Sequence, residues 1–487
     1  MKLNIPLLVL KIIEALQKAG FEAYIVGGAI RDLLMEKPTD DWDFTTSAKP
    51  EEIRKLFPES FYDNRFGTVG ITAEEAAKQF GVLEKFNFEK ANLKLGSVFD
   101  ITTFRKETTY SDRRHPDKVA WGKTLEDDLK RRDFTINALA LQVTGNKLQA
   151  TSYRRQKKKE KNLVACSLKL ESTIIDLFNG QQDLKNSLIR AVGGPNKRFS
   201  EDALRMMRAI RFASQLGFAI EEKTLQAIIK NSRLISFISF ERIRDELFKI
   251  LTSSYPKDGI KLMFTSGILE HVLPELIPMR GVEQAGHHTK DVWNHSLDAL
   301  KNCPSPDPIV RLATLLHDVG KPAVAQKKGG KVTFYNHEIV GGRTVKRIAN
   351  RLKLSKKQKD KLWLLVRYHM FAYDPKMTDA AIRRFIRRVG LENINDMMML
   401  RIGDRIGGGS RATSWRLREL QQRIGKVLYT PMKVTDLKVN GNDVMKITGL
   451  KSGPKVGKIL NKLFEEVLED AEKNDREYLL KRIKESA

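Results

Sequence analysis

Apolar positions change their spacing along this chain, and each change predicts a different element. Residues 4–19 repeat apolar positions at helical spacing until Gly20 ends the pattern, which predicts an amphipathic helix. Phe21 to Val26 is a short β-type run, followed by Gly27-Gly28 and a second helical start. Further β-type runs lie at 68–72 and 97–104, so the first third reads as mixed α and β. Residues 151–162 (TSYRRQKKKEKN) are basic and polar, as in a loop or arm. From about 181 the pattern is helical nearly to the end, and no short-period repeat is evident. The fold class is therefore α+β, with a mixed first part and an all-α remainder.

Composition sharpens this picture. A chain of 487 residues with 41% hydrophobic residues builds several ordinary cores. The formal net charge of +27 favours a polyanionic partner, because each neutralised phosphate releases counterions. The two cysteines, Cys166 and Cys303, exclude a disulfide scaffold and fit a reducing, cytoplasmic setting. The apolar run Ile5 to Leu10 is interrupted by Lys11, Glu14 and Lys18, with no small-residue cleavage site after it. No uninterrupted apolar run reaches transmembrane length, so no membrane partner is expected. Nothing in the sequence sets an oligomeric state.

Candidate chemistry concentrates in four motifs. Gly27-Gly28, ahead of Arg31-Asp32, sits between a strand and a helix, where backbone amides can approach a phosphate. Asp41-Trp42-Asp43 places two carboxylates on one face of a strand, an arrangement that calls for a cation between them. A pair of magnesium ions there suits phosphoryl transfer, and Asp100, from a neighbouring β-run, can complete the site. Asp-x-Asp is also common in solvated turns. Arg131-Arg132-Asp133, with Asn137 beyond, offers guanidinium groups to a triphosphate and a carboxylate to a ribose hydroxyl. Glu201-Asp202-Ala203-Leu204-Arg205, continuing to Arg208, puts Asp202 and Arg205 on one helical face at i, i+3.

In this order, the four motifs closely resemble the bacterial-type class II tRNA nucleotidyltransferases, the CCA-adding enzymes, and their relatives the bacterial poly(A) polymerases. The resemblance covers residues 22–250 and resumes in the tail. It implies a polymerase-β-like nucleotidyltransferase head holding Mg2+ on Asp41 and Asp43, with triphosphate and ribose contacts around Arg132 and Asp133. It also implies base reading by Asp202 and Arg205, and tRNA, ATP and CTP as partners. The chemistry agrees: cytosine and adenine both show an amino donor beside a ring-nitrogen acceptor, which one carboxylate and one guanidinium can satisfy. Uracil and guanine reverse that order and would leave both groups unpaired. Phe66 to Gly70 resembles the CCA-adding pattern, and no Gly-Arg-Arg-Phe segment like that of poly(A) polymerases is present. Tyr110 to Pro116, with Arg113, Arg114 and His115, resembles the family's flexible loop for switching from C to A. Residues 74–95 and 146–172 look like insertions.

Of eight histidines, six lie between 287 and 369. His295, the adjacent pair His317-Asp318 and the later Asp404 resemble an HD metal domain. Imidazole with carboxylate suits a divalent transition metal. His337 and His369 can hold a second metal or a phosphate. Thr435 to Gly441 and Gly449 to Lys458 give the tail glycine-containing turns flanked by lysines, able to meet nucleic-acid phosphates.

The expected segments are a catalytic head at 1–180, a helical base-recognition and RNA-binding neck at 181–280, an HD body at 281–405 and a tRNA-binding tail at 406–487. Alternatives are an enzyme adding only part of CCA, a poly(A) polymerase, an HD phosphohydrolase whose head merely binds nucleotides, and an RNA-binding scaffold with a degenerate head. The last two sit poorly with an intact set of Asp41, Asp43, Arg132, Asp133, Asp202 and Arg205.

Overall fold

The structure, a computed structural model, describes residues 5–63, 67–89, 91–107, 119–144, 171–284, 290–328, 331–371, 373–427 and 433–486. The expected loop residues Arg113, Arg114 and His115 lie outside these, as does most of 146–172. The chain divides into two compact units: residues 1–246 with 261–271, and residues 247–260 with 272–487. The expected head and most of the neck fall in the first, and the expected body and tail in the second.

The first unit is built on a mixed sheet. Its strands are β1 (Ala23–Val26), β2 (Asp43–Thr46), β3 (Phe61–Asp63), β4 (Thr68–Thr72), β5 (Val98–Thr103), β8 (Leu139–Thr144) and β9 (Glu171–Asp176). Between β5 and β8, the short strands β6 (Arg105–Glu107) and β7 (Val119–Trp121) pair separately. The sheet order is β3-β4-β5-β2-β1-β8-β9. β1 is an interior strand, and every one of its residues is buried because both faces of the sheet are covered there. Alternation along it sends Ala23 and Ile25 into one core and Tyr24 and Val26 into another. The larger core holds the apolar stripe of the first helix (Leu7–Lys18), with Leu8, Ile12 and Leu16 against Phe44, Phe99 and Ile101. Ala76, Ala77, Ala91 and Leu93 join that core, so residues 74–95, which look like an insertion in sequence, help to close it.

The second unit is helical apart from a small hairpin, Gln326–Lys328 with Lys331–Thr333. With the parallel pair Leu188–Ile189 and Ala219–Ile220 in the first unit, this hairpin is a short interruption in the largely helical region expected after 181. These strands are too short to leave a period-2 signal. The helix Pro308–Leu316 is buried on nearly all sides, as its mostly apolar sequence requires. The tail has its own core, centred on Leu463, Phe464, Val467 and Leu479. There the buried Arg383 donates to the Leu468 and Glu469 carbonyls, satisfying the end of the helix Pro454–Glu469.

Candidate functional site

The acidic site of the first unit is assembled by strand register. β2 and β5 run parallel with Asp43 opposite Asp100, while β1 and β2 run antiparallel with Val26 opposite Asp43. Phe44 and Phe99 bury on the core side, so alternation leaves Asp43 and Asp100 together on the other face. Asp41 lies just before β2, which begins at Asp43, so the expected strand placement of both aspartates is corrected for Asp41. It nevertheless sits close enough to repel Asp43. Burial, then the charges of Asp41 and Asp100, push the Asp43 pKa up to about 7 against the opposing pull of Arg132 and Arg131. Carboxylates that repel in this way would be relieved by a cation, for which carboxylate oxygens are suitable ligands.

Gly27 makes this crowding possible. Its φ of +78° is one that side chains rarely adopt. A Cβ there would lie 3.1 Å from both Arg132 Nη1 and Asp43 Oδ2. The backbone thus passes between the acidic site and its nearest guanidinium. Gly28 begins the helix Gly28–Leu34, whose first turn borders the site.

The arginines are held by a residue that the motif reading overlooked. Asp128, wholly buried, accepts from Arg131 Nε at 2.8 Å and from Arg132 Nη2 at 3.2 Å. Burial alone would raise its pKa, but Arg131 and Arg132 hold it below the usual carboxylate range. Among the described residues, Arg132 Nε is buried without a protein partner, leaving one donor for an anion. Arg31 donates to Asp32 at 2.9 Å and to Asn137 Oδ1 at 2.9 Å. Asn137 in turn donates to Asp133 at 3.4 Å, and Arg208 donates to Asp133 Oδ2 at 2.7 Å. A network therefore runs from Arg31 to Arg208. Asp133 is occupied within it: Arg208 outweighs burial and lowers its pKa.

Asp202 and Arg205 are not on one helical face. Asp202 is extended (φ −141°), between the helices Pro195–Glu201 and Leu204–Leu216. Its Oδ1 accepts from the Leu204 amide at 3.0 Å and its Oδ2 from Arg242 at 2.9 Å. Arg205 donates to Glu201 at 2.7 Å and to the Arg198 carbonyl at 3.2 Å. Each group is thus oriented by its own neighbour. The chain breaks at Asp202 because its carboxylate caps the second helix, which periodicity does not show.

In the second unit, six side chains converge. His295 comes from the helix Val292–Asn302 and Asp404 from Ile394–Gly407. His317 and Asp318 follow the helix Pro308–Leu316, His337 opens the helix His337–Arg351, and His369 follows Lys356–Tyr368. Two donor triads result: His295, His317 and Asp404, and Asp318, His337 and His369. His295 Nε2 lies 3.2 Å from Asp404 Oδ1 and 3.2 Å from His317 Nε2. His337 Nε2 lies 3.3 Å from His369 Nε2. His317, His337 and His369 each donate Nδ1–H to a carbonyl, of Thr314, Phe334 and Val366, at 2.8 Å. That bond occupies Nδ1 and turns Nε2 inward. Burial keeps His337 below the usual histidine range. Burial would also lower the His317 pKa, but Asp318 and Asp404 push it up to about 10.

Close backbone contact holds the pocket in shape. A Cβ on Gly403 would lie 2.6 Å from the Ala299 carbonyl, and one on Gly407 would lie 2.7 Å from the Ala299 amide. The helices bearing His295 and Asp404 therefore touch backbone to backbone. Arg401 donates to Asp404 Oδ2 at 2.9 Å, turning Oδ1 toward the histidines.

Comparison with known proteins decides the family. Residues 23–190 match the family described as "Poly A polymerase head domain", 217–279 the "Probable RNA and SrmB- binding site of polymerase A", and 339–483 tRNA nucleotidyltransferase domain 2. The CCA-adding enzyme of Ligilactobacillus salivarius is 33% identical over 479 residues, covering 98% of this chain and 95% of that one. The chain belongs to the CCA-adding enzyme family. The CCA-adding enzyme of Lactobacillus helveticus is 43% identical, over 54% of this chain and 54% of that protein, so this relative is matched over about half its length. The crystal structure of the Bacillus stearothermophilus CCA-adding enzyme in complex with CTP aligns with a TM-score of 0.69 at 26% identity, covering 98% of this chain and 96% of that one. The CCA-adding fold, a polymerase-β-like head on a mixed sheet followed by helices, is the one described above.

For a CCA-adding family member, the sequence motifs name the carboxylates and arginines but not what orients them. Asp128 stands three and four positions before Arg131 and Arg132, a helical spacing that could have found it. Gly403 and Gly407, four apart on one helix, likewise signal a close helix pair. Arg242 has no such signal, since its partner Asp202 is remote in sequence. Among the described residues, no helix is long and apolar enough to cross a membrane.

Proposed function

We propose that this chain is a template-independent tRNA nucleotidyltransferase that adds C, C and then A to the 3′ end of tRNA from CTP and ATP. The observation that carries the reading is the crowding of Asp43, Asp41 and Asp100 beside Arg132 across Gly27. Asp41 and Asp43, with Asp100, would hold Mg2+, which when bound activates the attacking 3′-hydroxyl and neutralises charge developing on the triphosphate. Arg132 keeps a buried Nε–H with no protein partner among the described residues, and Asp128 orients Arg131 and Arg132. Asp202 and Arg205 read the base edge: a carboxylate oriented by Arg242 accepts from the amino group, and a guanidinium oriented by Glu201 donates to the ring nitrogen. A cytoplasmic location fits this substrate.

The test is incubation with tRNA ending before CCA and each nucleotide in turn, followed by sequencing of the ends. Full CCA from CTP plus ATP supports the reading. A run of A from ATP alone indicates a poly(A) polymerase, and arrest after CC or addition of A alone indicates a partial enzyme.

We also infer that the second unit is an HD-type metal-binding body in which His295, His317, Asp318 and Asp404 hold a divalent transition metal. The Nδ1 contact that turns His317 Nε2 inward and the clustered donors support it. Metal analysis of the purified protein against its His317→Ala variant tests it, and equal content in both would overturn it.

A further inference from the structure

Of the three carboxylates of the acidic site, only Asp41 sits on backbone outside the sheet. Asp43 and Asp100 are fixed by β2 and β5, whereas residues 37–42 form no regular element. Asp41 and Asp43 also repel each other, which favours swinging so irregular a segment away from the site. Thr39, Asp40 and Trp42 are all held by one short stretch, residues 91–94. Thr39 is buried, and its carbonyl accepts from Asn92 Nδ2 at 3.0 Å. Asp40 pairs with Lys94 at 3.0 Å. Trp42 is buried in the same core as Ala91 and Leu93. Of residues 39–42, Asp41 alone is exposed. The shape of the stretch explains its residues. Asn92 has a left-handed φ of +54°, a conformation that asparagine tolerates better than most side chains. Its amide donates to the Glu89 carbonyl at 3.0 Å, and that of Leu93 to the Phe88 carbonyl at 2.9 Å, the pattern that closes a helix end. The reversal buries Ala91 and Leu93 and leaves the Asn92 side chain to reach Thr39.

We propose that residues 91–94 brace the loop that presents Asp41, with Asn92 as the positioning residue that sets how tightly the acidic site holds a divalent cation. This rests on the reading of Asp41 as a magnesium ligand and adds what positions it. Lys94 contributes less, because its pair with Asp40 is exposed. The brace matters most before a cation is bound, when nothing else offsets the repulsion between Asp41 and Asp43. Once a cation is in place, the carboxylates are drawn together without it. Loss of the brace therefore weakens cation binding while sparing the rate at saturating magnesium.

The test compares the full-length protein with Asn92→Gly, which keeps the left-handed backbone and removes only the side chain. The probe is Tb3+, a hard, oxygen-seeking cation, read by luminescence excited through tryptophan, Trp42 being the residue next to Asp41. The component of that signal lost in Asp43→Ala belongs to the acidic site. Asn92→Gly should raise the midpoint of this component about 10-fold, the lower end for loss of an outer partner of a ligand. Half-saturating magnesium for nucleotide addition should rise by a similar factor, with kcat at saturating magnesium and KM for CTP near wild type. Lys94→Met should shift the midpoint less than about fivefold, and Lys94→Arg should leave it in place. In an Asp41→Ala background, Asn92→Gly should have no further effect on the midpoint, since it acts through Asp41. An unchanged midpoint in Asn92→Gly, where Asp41→Ala does weaken binding, would overturn the brace alone. A further loss in the Asp41→Ala background would overturn it too, by showing that Asn92 acts through another group. A fall in kcat that saturating magnesium does not restore, with a lower calorimetric transition, would reduce Asn92 to a structural residue. A midpoint unchanged by Asp41→Ala would overturn the magnesium reading of Asp41 and the brace with it.

Discussion

The two sites of this protein collect charge in opposite ways. In the first unit, carboxylates are brought together by a sheet: parallel register sets Asp43 against Asp100, and alternation puts both on the face away from the core. In the second, candidate ligands come from helices, four of the six at or just beyond a helix end. The last carbonyls of a helix have no amide partner within it. Thr314 and Val366 each lie three residues before a histidine, and their carbonyls take the Nδ1–H of His317 and His369. The helix end thus supplies both the position of the ligand and the acceptor that orients its ring. A strand has no such spare acceptors, and its site uses carboxylates, which need none. The outcome is an all-oxygen site suited to a hard cation and a mixed nitrogen and oxygen site suited to a borderline one.

The largest effect expected from breaking this contrast is in the acidic site. Asp43→Ala should lower single-turnover nucleotide addition by roughly a thousandfold or more, several kcal/mol of lost charge stabilisation. Binding of tRNA measured by filter retention should change little. Wild-type-like addition at saturating magnesium would remove Asp43 from the site.

Next in size, Asp128→Ala leaves the partly buried Arg131 and Arg132 without the anion they share. The first unit should lose about 3–5 kcal/mol of stability, seen as a lower calorimetric transition. An unchanged transition would mean that the arginines find other partners.

A smaller effect concerns selection. Asp202→Ala or Arg205→Ala should relax discrimination against UTP and GTP by about 1–3 kcal/mol per lost base contact. Relative kcat/KM across the four nucleotides measures it, and an unchanged pattern places base reading elsewhere. Arg242→Ala sharpens the point: it should act in the same direction through Asp202 alone.

The smallest effect is one of pH. The Asp43 pKa, at about 7, stands above the ordinary carboxylate value. Between that value and 7 the folded chain holds a proton that the unfolded chain has released. This carboxylate's contribution to stability is therefore greatest in acid, falls as pH rises through that window and is level above it. A cation must displace the same proton. Half-saturating magnesium should rise about tenfold for each unit that pH drops below 7, about 1.4 kcal/mol per unit. A flat magnesium requirement from pH 6 to 8 would contradict this.

Legibility in the sequence follows the range of the interactions. Gly27-Gly28, Asp41, Asp43, Arg131 and Arg132 are visible because each motif is local, and the mixed α and β start is visible because its runs have clear periods. What orients them is less so. Arg208 and Asp133 meet across a sequence separation that no periodicity reports. The break at Asp202 depends on a side chain capping the next helix, where apolar spacing alone favours an uninterrupted one. The approach of Asp318 to both His317 and His337 depends on separate helices arriving together, which the HD pattern of residues does not specify.

The seam at Gly403 and Gly407 has a mechanical meaning. Where helices pack through side chains, a changed ligand distance can be absorbed by a rotamer. Here the two backbones already touch at Ala299, so the spacing between the His295 and Asp404 helices has little room to shrink. An ion held in a cage with a hard stop of this kind would be selected by radius as well as by ligand softness. An ion too small for the gap would be held on one side and bind weakly, however well its chemistry suits imidazole.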